Sequence, residues 1–519
     1  MIAQKIGIKN LSLNKALLLF PAALLTATTA CFAPHLLLTV PVSAFFYYFW
    51  NHKDKFVYFL LIYAPFEEIV LRLIPGSFYA PVRYMWEIML VGMMVLTLLE
   101  NILLSRRWKR SPIDMLAVVF IAVWFLSAAA GSKSFIFSLA HLKNIIRYIP
   151  LFYIVYNLKP DKKLLSTIIN IIIVMAVVQS AICFAQTMEG NDLVEIFRPK
   201  NVVVNNLTIR GPDIQEGTYY TRFTGSFDRT IHLGNYLAFA ICLATGAYFG
   251  AGQKRYLLLL IAILAAALYI SSSRISWISA FAGVGVILFR IRHKFRFAYF
   301  LAPVTILLFL ISGAGTFDDE TMADDFKILD RFIYVFTPDY VDVAGDAGRL
   351  YTILNVAPAV ISASPILGLG PGTFMQISEQ MTDEEIYGAA DKYDLGSPAL
   401  RYVPDVGYVA IFVQTGILGL ISLFWIFARI FKIVWKAISS TTEAIPRAFF
   451  IGSVGFLVAL AVQNWASFNL MYRNQSVIIW IVLGLAALFA TDNTSGIEPN
   501  DRTDTSRLPD EKIEDRCSQ

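Results

Sequence analysis

The chain has few of the residues from which soluble enzymes commonly build their sites. It has four cysteines in 519 residues, no CxxC pair, and neither an HExxH nor a GxSxG motif. The sequence therefore indicates no disulfide framework and gives no support to metal-dependent hydrolysis or serine catalysis. Charged residues make up 16% of the chain, against about 25% in a soluble globular protein, which argues against a water-soluble fold.

The chain is instead rich in long apolar runs, and 57% of its residues are hydrophobic. Runs of about 20 apolar residues cross about 30 Å of hydrocarbon as helices. The pattern predicts an all-α, polytopic transmembrane helical bundle of 12–14 spans with a large, partly helical extracytoplasmic loop. The lower count applies if Pro34 and His35 only break one element and if Glu67 and Glu68 disqualify the third span. The candidate spans are 16–31, 34–50, 56–74, 84–104, 113–130, 143–157, 164–186, 230–250, 255–271, 274–290, 296–312, 405–431, 447–467 and 475–491.

Lys and Arg clusters fall in every second connection of the fourteen-span arrangement, and such clusters mark cytoplasmic loops. Both termini are then cytoplasmic. The chain divides into N-terminal transmembrane helices (1–186), a first extracytoplasmic loop (187–229), central helices (230–312), the large extracytoplasmic loop (313–404), C-terminal helices (405–491) and a disordered cytoplasmic tail (492–519).

The interval 313–404 is the longest polar stretch and the expected place of the chemistry, because long loops in a compact chain usually have a function. It carries fifteen acidic and five basic residues. An interval this acidic fits the outer side of the membrane and argues against nucleic acid as a partner.

Several arginines lie at or near the predicted outer face, away from the inner clusters. Each is explained either by snorkelling to lipid headgroups or by convergence on one anion, such as a lipid-linked pyrophosphate. The candidates are Arg274, Arg349, Arg401 and Arg229.

Two acidic residues precede predicted spans. Asp405 is either a helix N-terminal acid or a general base, and Asp228 has the same two interpretations. His232 lies near the outer face and could join the site, although an interfacial histidine with satisfied hydrogen bonds is the more common case. The segment Gly368–Gly372 is a tight turn or, less favoured, an anion-binding loop.

Four segments, in order, resemble the O-antigen ligase/polymerase family of membrane glycan-processing proteins. They are GSFDRTIHLGNYLAFAICLA (225–244), YISSSRISWISAFAGVGVILF (269–289), GRLYTILNVAPAVISASPILGLGPGTF (348–374) and VGYVAIFVQTGILGLISLF (406–424). Members of that family use undecaprenyl-diphosphate-linked glycans as donors, without a metal or other cofactor.

The resemblance implies a multi-pass protein of the bacterial inner membrane with its active site facing the periplasm. By the resemblance, Arg274 and Arg349 would hold the donor pyrophosphate, and Arg401 and Arg229 are further candidates for that role. Arg349 and Asp405 are the candidates for catalysis, with Asp405 as the base. A flippase and a chain-length regulator are the implied protein partners. Ligases of the family typically carry a His-Asn pair where the large loop returns to the membrane, and 313–404 contains no histidine. A polymerase is therefore favoured over a ligase, with a transporter and a non-catalytic scaffold as competing interpretations.

Overall fold

The computed structural model describes residues 36–74, 76–103, 110–131, 135–189, 191–197, 202–204, 207–209, 223–252, 254–291, 351–373 and 405–495. Its helices and strands are α1 (Leu36–Asn51), α2 (Lys53–Tyr63), a 3-10 turn (Ala64–Phe66), α3 (Glu67–Leu73), α4 (Gly76–Leu103), α5 (Asp114–Ala130), α6 (Phe135–Ile146), α7 (Ile149–Tyr156), α8 (Lys162–Glu189), α9 (Asn191–Phe197), β1 (Val202–Val204), β2 (Leu207–Ile209), α10 (Thr230–Gly250), α11 (Arg255–Ile270), α12 (Arg274–Ile291), a π-helical turn (Thr352–Val356), α13 (Ala357–Ala363), α14 (Gly407–Ser440), α15 (Ala444–Gln463) and α16 (Arg473–Ser495).

The all-α polytopic bundle predicted from the sequence is confirmed. Within the described ranges, seven helices are long and apolar enough to cross a membrane, namely α8, α10, α12, α14, α15 and the greater parts of α4 and α16. Shorter apolar helices add α5, α11 and the segment Thr352–Ala363. The predicted spans 16–31 and 296–312 lie outside the described residues. An antiparallel pair, β1 and β2, lies in the predicted loop 187–229.

Proline and glycine break several of the predicted spans. The stretch 56–74 is interrupted by the 3-10 turn at Pro65, and the stretch 143–157 is divided between α6 and α7, with Pro150 in the first turn of α7. Proline has no N–H to donate, so it fits best in the first turn of a helix, where that N–H would have no partner within the helix. In α14 the break comes at Gly416, whose φ of 61° is outside the helical range.

Helices α10 and α15 form the closest contact in the core, and small residues make it possible. A Cβ on Gly246 of α10 would lie 2.3 Å from the backbone nitrogen of Gly452 of α15. Helices in lipid often associate through small residues that let their backbones pack closely, because the hydrophobic effect does not drive them together there. The pair forms a rigid centre beside α12, α14 and α16.

The segment 351–373, from the predicted large loop, packs into the bundle. Its helix α13 ends at Ala363, and the glycine-rich turn that follows rests in the break of α14. Leu369 N–H donates to Val413 O at 2.7 Å, and Ile417 N–H donates to Pro365 O at 2.9 Å. At 1.5 Å per residue, Gly416 lies roughly 14 Å along α14 from its first residue, so this segment enters the bundle deeply.

Candidate functional site

Seven helix ends meet at one end of the bundle, which we call the site end. The first residues of α10, α12, α14 and α16 lie there, with the last residues of α8, α11 and α15, and hydrogen bonds described below join them. At the opposite end, Lys53 pairs with Glu100 and Lys162 pairs with Glu443. The basic clusters of the sequence flank helices at that opposite end.

Two glutamines of α8 hold the loop that leads into α10. Gln179 donates from Nε2 to Ser226 Oγ at 2.6 Å and accepts from Ser226 N–H at 2.9 Å. Two turns further along α8, Gln186 Oε1 accepts from the N–H groups of Thr224 and Gly225, at 3.2 and 2.9 Å. These side chains are fully buried. They fix the backbone immediately before Asp228 and Arg229.

A buried amide and hydroxyl network joins α10, α12 and the connection between α15 and α16. Asn235 donates to Asn469 Oδ1 at 2.8 Å, and Ser276 donates to Asn235 Oδ1 at 2.8 Å. Gln463 accepts from Asn469 at 3.2 Å and donates to Ser279 at 3.0 Å. Every member is buried, and a fully connected polar network fixes one arrangement of the elements that carry it.

An ion pair brings together two of the residues predicted from the sequence. Arg229 Nη1 lies 3.1 Å from Asp405 Oδ1, although the two residues are 176 positions apart. Tyr472 donates to the same carboxylate oxygen at 3.4 Å, and its ring lies 5.8 Å below the Arg229 guanidinium. The side chains of Arg229 and Asp405 are 38% and 24% exposed, so this cluster opens toward the surface.

A second acid and base lie directly beneath that cluster. Asp228 Oδ1 contacts Nδ1 of His232, which lies one helical turn further along, and the imidazole ring packs 4.2 Å from the ring of Tyr472. Burial raises the pKa of the Asp228 carboxyl, but His232 and Arg229 outweigh it and hold the pKa below its usual range. Asp228 is therefore a carboxylate that orients the imidazole.

Buried ion pairs anchor the start of α16. Arg473 lies 3.0 Å from Glu67 and 2.7 Å from Glu87, and Arg147 lies 3.2 Å from the same Glu87. The side chains of all four residues are 10% exposed or less. Arg473 also donates to the carbonyl of Arg83 at 2.6 Å. The charges are mutually compensated, which fixes the position of neighbouring Tyr472.

The glycine-rich segment is a structural turn. Gly368, Gly370 and Gly372 have φ of 71°, 101° and 90°, values that other residues adopt only with strain. Gly372 N–H donates to Gln414 Oε1 at 3.0 Å, and Ser127 Oγ donates to Leu367 O at 2.6 Å. Because these groups bind the protein itself, the structure favours the tight turn over the anion-binding loop.

The other predicted arginines divide between described and undescribed residues. Arg274 is the first residue of α12, and its neighbour Ser273 would be 2.8 Å from a Cβ on Gly234 of α10. Gly234 is five residues from Arg229, about 8 Å along the helix, so Arg274 lies at the site end. Arg349 and Arg401 lie outside the described residues.

Sequence reasoning did not select Tyr472, and it favoured an interfacial role for His232 over a place in the site. The contact of Tyr472 with Asp405 joins residues 67 positions apart, and no local pattern indicates it. The spacing of Asp228 and His232, four residues at the start of a helix, was a usable signal, since such residues are neighbours on a helix face. Among the described residues, no group of three His, Cys, Asp or Glu side chains is placed to hold a metal ion.

Comparison with known proteins gives a match to one family model. Residues 259–424 match the family model described as O-antigen ligase, whereas no curated protein matches the chain. The matched region runs from α11 to the first half of α14, so it includes Arg274, the segment 351–373 and Asp405. Asp228, Arg229 and His232 precede it. The chain is thus a multi-pass membrane protein, and its residues 259–424 are similar to the O-antigen ligase family.

Proposed function

We propose that the protein is a membrane glycosyltransferase that uses an undecaprenyl-diphosphate-linked glycan at the outer face of the bacterial inner membrane. It would join that glycan to an acceptor sugar, as a polymerase of O-antigen or exopolysaccharide units rather than as a ligase. The family match supports glycan processing of this type. The preference for a polymerase rests on the sequence 313–404, which contains no histidine.

The observation that carries the proposal is the Arg229–Asp405–Tyr472 cluster at the site end. It connects the start of α10 to the start of α14, and Arg274 is the first residue of α12 at the same end of the bundle. A donor whose lipid lies in the membrane and whose pyrophosphate lies at its surface would meet these helix entries. The basic clusters flank helices at the other end, which supports the periplasm as the side of the site.

The proposed chemistry is displacement of the lipid diphosphate by an acceptor hydroxyl. Negative charge develops on the departing pyrophosphate, and fixed guanidinium groups stabilise it because they need no reorganisation as the bond breaks. Arg274 and Arg229 are the described residues proposed for this role, together with Arg349 and Arg401. An arginine presents paired N–H donors that match phosphate oxygens.

The proton of the acceptor hydroxyl needs a base. Asp405 is the base predicted from the sequence, and the structure adds His232, for which the case is given below. Asp405 shares its Oδ1 with Arg229 and Tyr472. As a base it would act beside a fixed cation, and as a counterion it would hold Arg229 toward the donor.

The transporter alternative rested mainly on Glu67 and Glu68 in a predicted span. Glu67 is 3.0 Å from Arg473 and therefore has a fixed counterion. A carboxylate that carries protons or ions must exchange its partner during each cycle, and Glu67 is held in a network with Glu87 and Arg147. The ion pair of Glu67 therefore weakens the transporter alternative.

The experiment is a complementation series in a deletion strain, with glycans resolved by length and by attachment. The variants are Arg274→Ala, Arg349→Ala and Asp405→Asn, and Arg447→Ala is the matched control because this arginine lies at the opposite end of the bundle. Expression is measured for each. Single repeat units accumulating in the deletion strain and the arginine variants indicate a polymerase, and long unattached polymer on the lipid carrier indicates a ligase. Wild-type glycans in all variants would refute the assignment.

A further inference from the structure

The Asp228–His232 pair has a feature that folding alone does not require. The His232 side chain is 1% exposed, and its Nε2 has no hydrogen-bond partner among the residues that the structure describes. Leaving a buried polar atom unpaired costs free energy. Other buried side-chain atoms, such as Gln475 Oε1 and Trp480 Nε1, also have no hydrogen-bond partner among the described residues. His232 differs from them because a carboxylate contacts and orients its ring.

The imidazole is held by two contacts. Asp228 contacts Nδ1 and Tyr472 packs against the ring, while Gln475 donates from Nε2 to the His232 backbone carbonyl at 2.9 Å. In the neutral imidazole, an ionised carboxylate at Nδ1 assigns the proton to that nitrogen and leaves the lone pair on Nε2. The arrangement is that of a general base with an orienting carboxylate.

Position also fits a reactive group at the proposed site. His232 lies in the first turn of α10, next to Asp228 and Arg229, whose side chains are 21% and 38% exposed. Catalytic hydrogen bonds are commonly completed only when substrate is bound, which accounts for a buried nitrogen without a partner.

We propose that His232, oriented by Asp228, takes the proton from the acceptor hydroxyl, which rests on the glycosyl transfer proposed above. The hydroxyl proton moves to Nε2 as the acceptor oxygen forms a bond to the anomeric carbon of the donor sugar. The bond from that carbon to the pyrophosphate oxygen breaks, and its electron pair leaves with the lipid diphosphate. The imidazolium later returns the proton to water or to the leaving diphosphate.

Asp405 is the less available base of the two by its contacts. Arg229 Nη1 lies 3.1 Å from Asp405 Oδ1, and the Tyr472 hydroxyl donates to the same oxygen at 3.4 Å. His232 Nε2 has no such competing donor among the described residues. Asp405→Asn should therefore weaken donor binding more than it slows the chemical step.

The test uses full-length protein in lipid vesicles with undecaprenyl-diphosphate-linked repeat units purified from the host strain. His232→Asn keeps an amide donor where Nδ1 lies and removes the atom at Nε2. We expect the single-turnover transfer rate to fall about 10²–10⁴-fold, with donor binding and thermal stability unchanged. In folded His232→Ala protein, added imidazole should raise the transfer rate at least about tenfold, because it supplies the missing base.

Each result decides the proposal. A His232→Asn variant that keeps the wild-type rate overturns it, as does His232→Ala protein that folds and gains nothing from imidazole. If the asparagine variant does not fold, Asp228→Asn decides instead, because it leaves Nε2 in place but loses the carboxylate that sets the tautomer. A wild-type rate in folded Asp228→Asn overturns the proposal. If wild-type protein releases no lipid diphosphate, the proposed glycosyl transfer is wrong. If wild type and His232→Asn are both active, only the proposal that His232 is the base is wrong.

Discussion

Arg473 gives a prediction whose size follows from the structure. Its guanidinium lies 3.0 Å from Glu67 and 2.7 Å from Glu87, with side chains 9%, 5% and 10% exposed. Arg473→Met keeps most of the side-chain volume but removes the positive charge. Glu87 retains Arg147 at 3.2 Å, whereas Glu67 loses the ion pair that the structure gives it. Breaking a buried pair on one side costs about 3–5 kcal/mol, and we expect the free energy of unfolding to fall by that amount.

The assay is denaturant unfolding of the purified protein in mixed micelles, with helix content as the signal. The double variant Glu67→Gln/Arg473→Met removes the uncompensated charge and should recover about half or more of the loss. Lys162→Met is the matched control, because its pair with Glu443 is exposed at 60% and 49% and contributes less than about 1 kcal/mol. The reasoning is refuted if Arg473→Met costs less than about 1 kcal/mol, or if the double variant is no more stable than the single one.

Three further substitutions test the packing that supports the site. Gly246→Leu should separate α10 from α15, since a Cβ at this position would lie 2.3 Å from a backbone nitrogen of α15. Gly285→Ala is the control and should keep wild-type thermal stability, because no atom lies within 4 Å of the added Cβ. Gln186→Leu removes two acceptor contacts from the loop before α10, so transfer activity should fall about tenfold or more while the protein remains folded. Gly416→Ala adds a Cβ 2.3 Å from a carbonyl oxygen at a φ of 61°, which costs about 1–2 kcal/mol in backbone strain alone and should expose the segment 351–373 to protease. Wild-type stability, activity and protease resistance in these variants would contradict the packing described here.

Hydrophobic run length was sufficient to predict the helical bundle, because a membrane span must satisfy its backbone within one apolar helix. The length of the hydrophobic runs did not predict where the helices break. Pro65 and Pro150 are visible in the sequence, but the break at Gly416 depends on the turn at Gly368 that rests against it, 48 positions away. The helix after Arg473 also continues to Ser495, beyond the predicted start of the tail at 492.

The candidate site was partly predictable for a similar reason. Arg229 and Asp405 were predicted as site residues because each is a charged residue near the start of a predicted span, where ionisable groups are costly and often functional. That they form one ion pair depends on the order in which α10, α14 and α16 pack, and a single sequence does not contain that order. The counterion of Glu67 is equally remote, because Arg473 follows it by 406 positions.

The central claim is glycosyl transfer from a lipid-diphosphate donor at the site end, and reconstitution tests it most directly. Purified wild type, Arg274→Ala and Arg447→Ala would be placed in vesicles with undecaprenyl-diphosphate-linked repeat units, and extended glycan and released lipid diphosphate would be measured together. We expect wild type and Arg447→Ala to give both products in equal amounts, and Arg274→Ala to fall about 10²-fold or more through loss of a transition-state cation. Donor that stays intact with wild type, or equal product from all three proteins, would contradict the account.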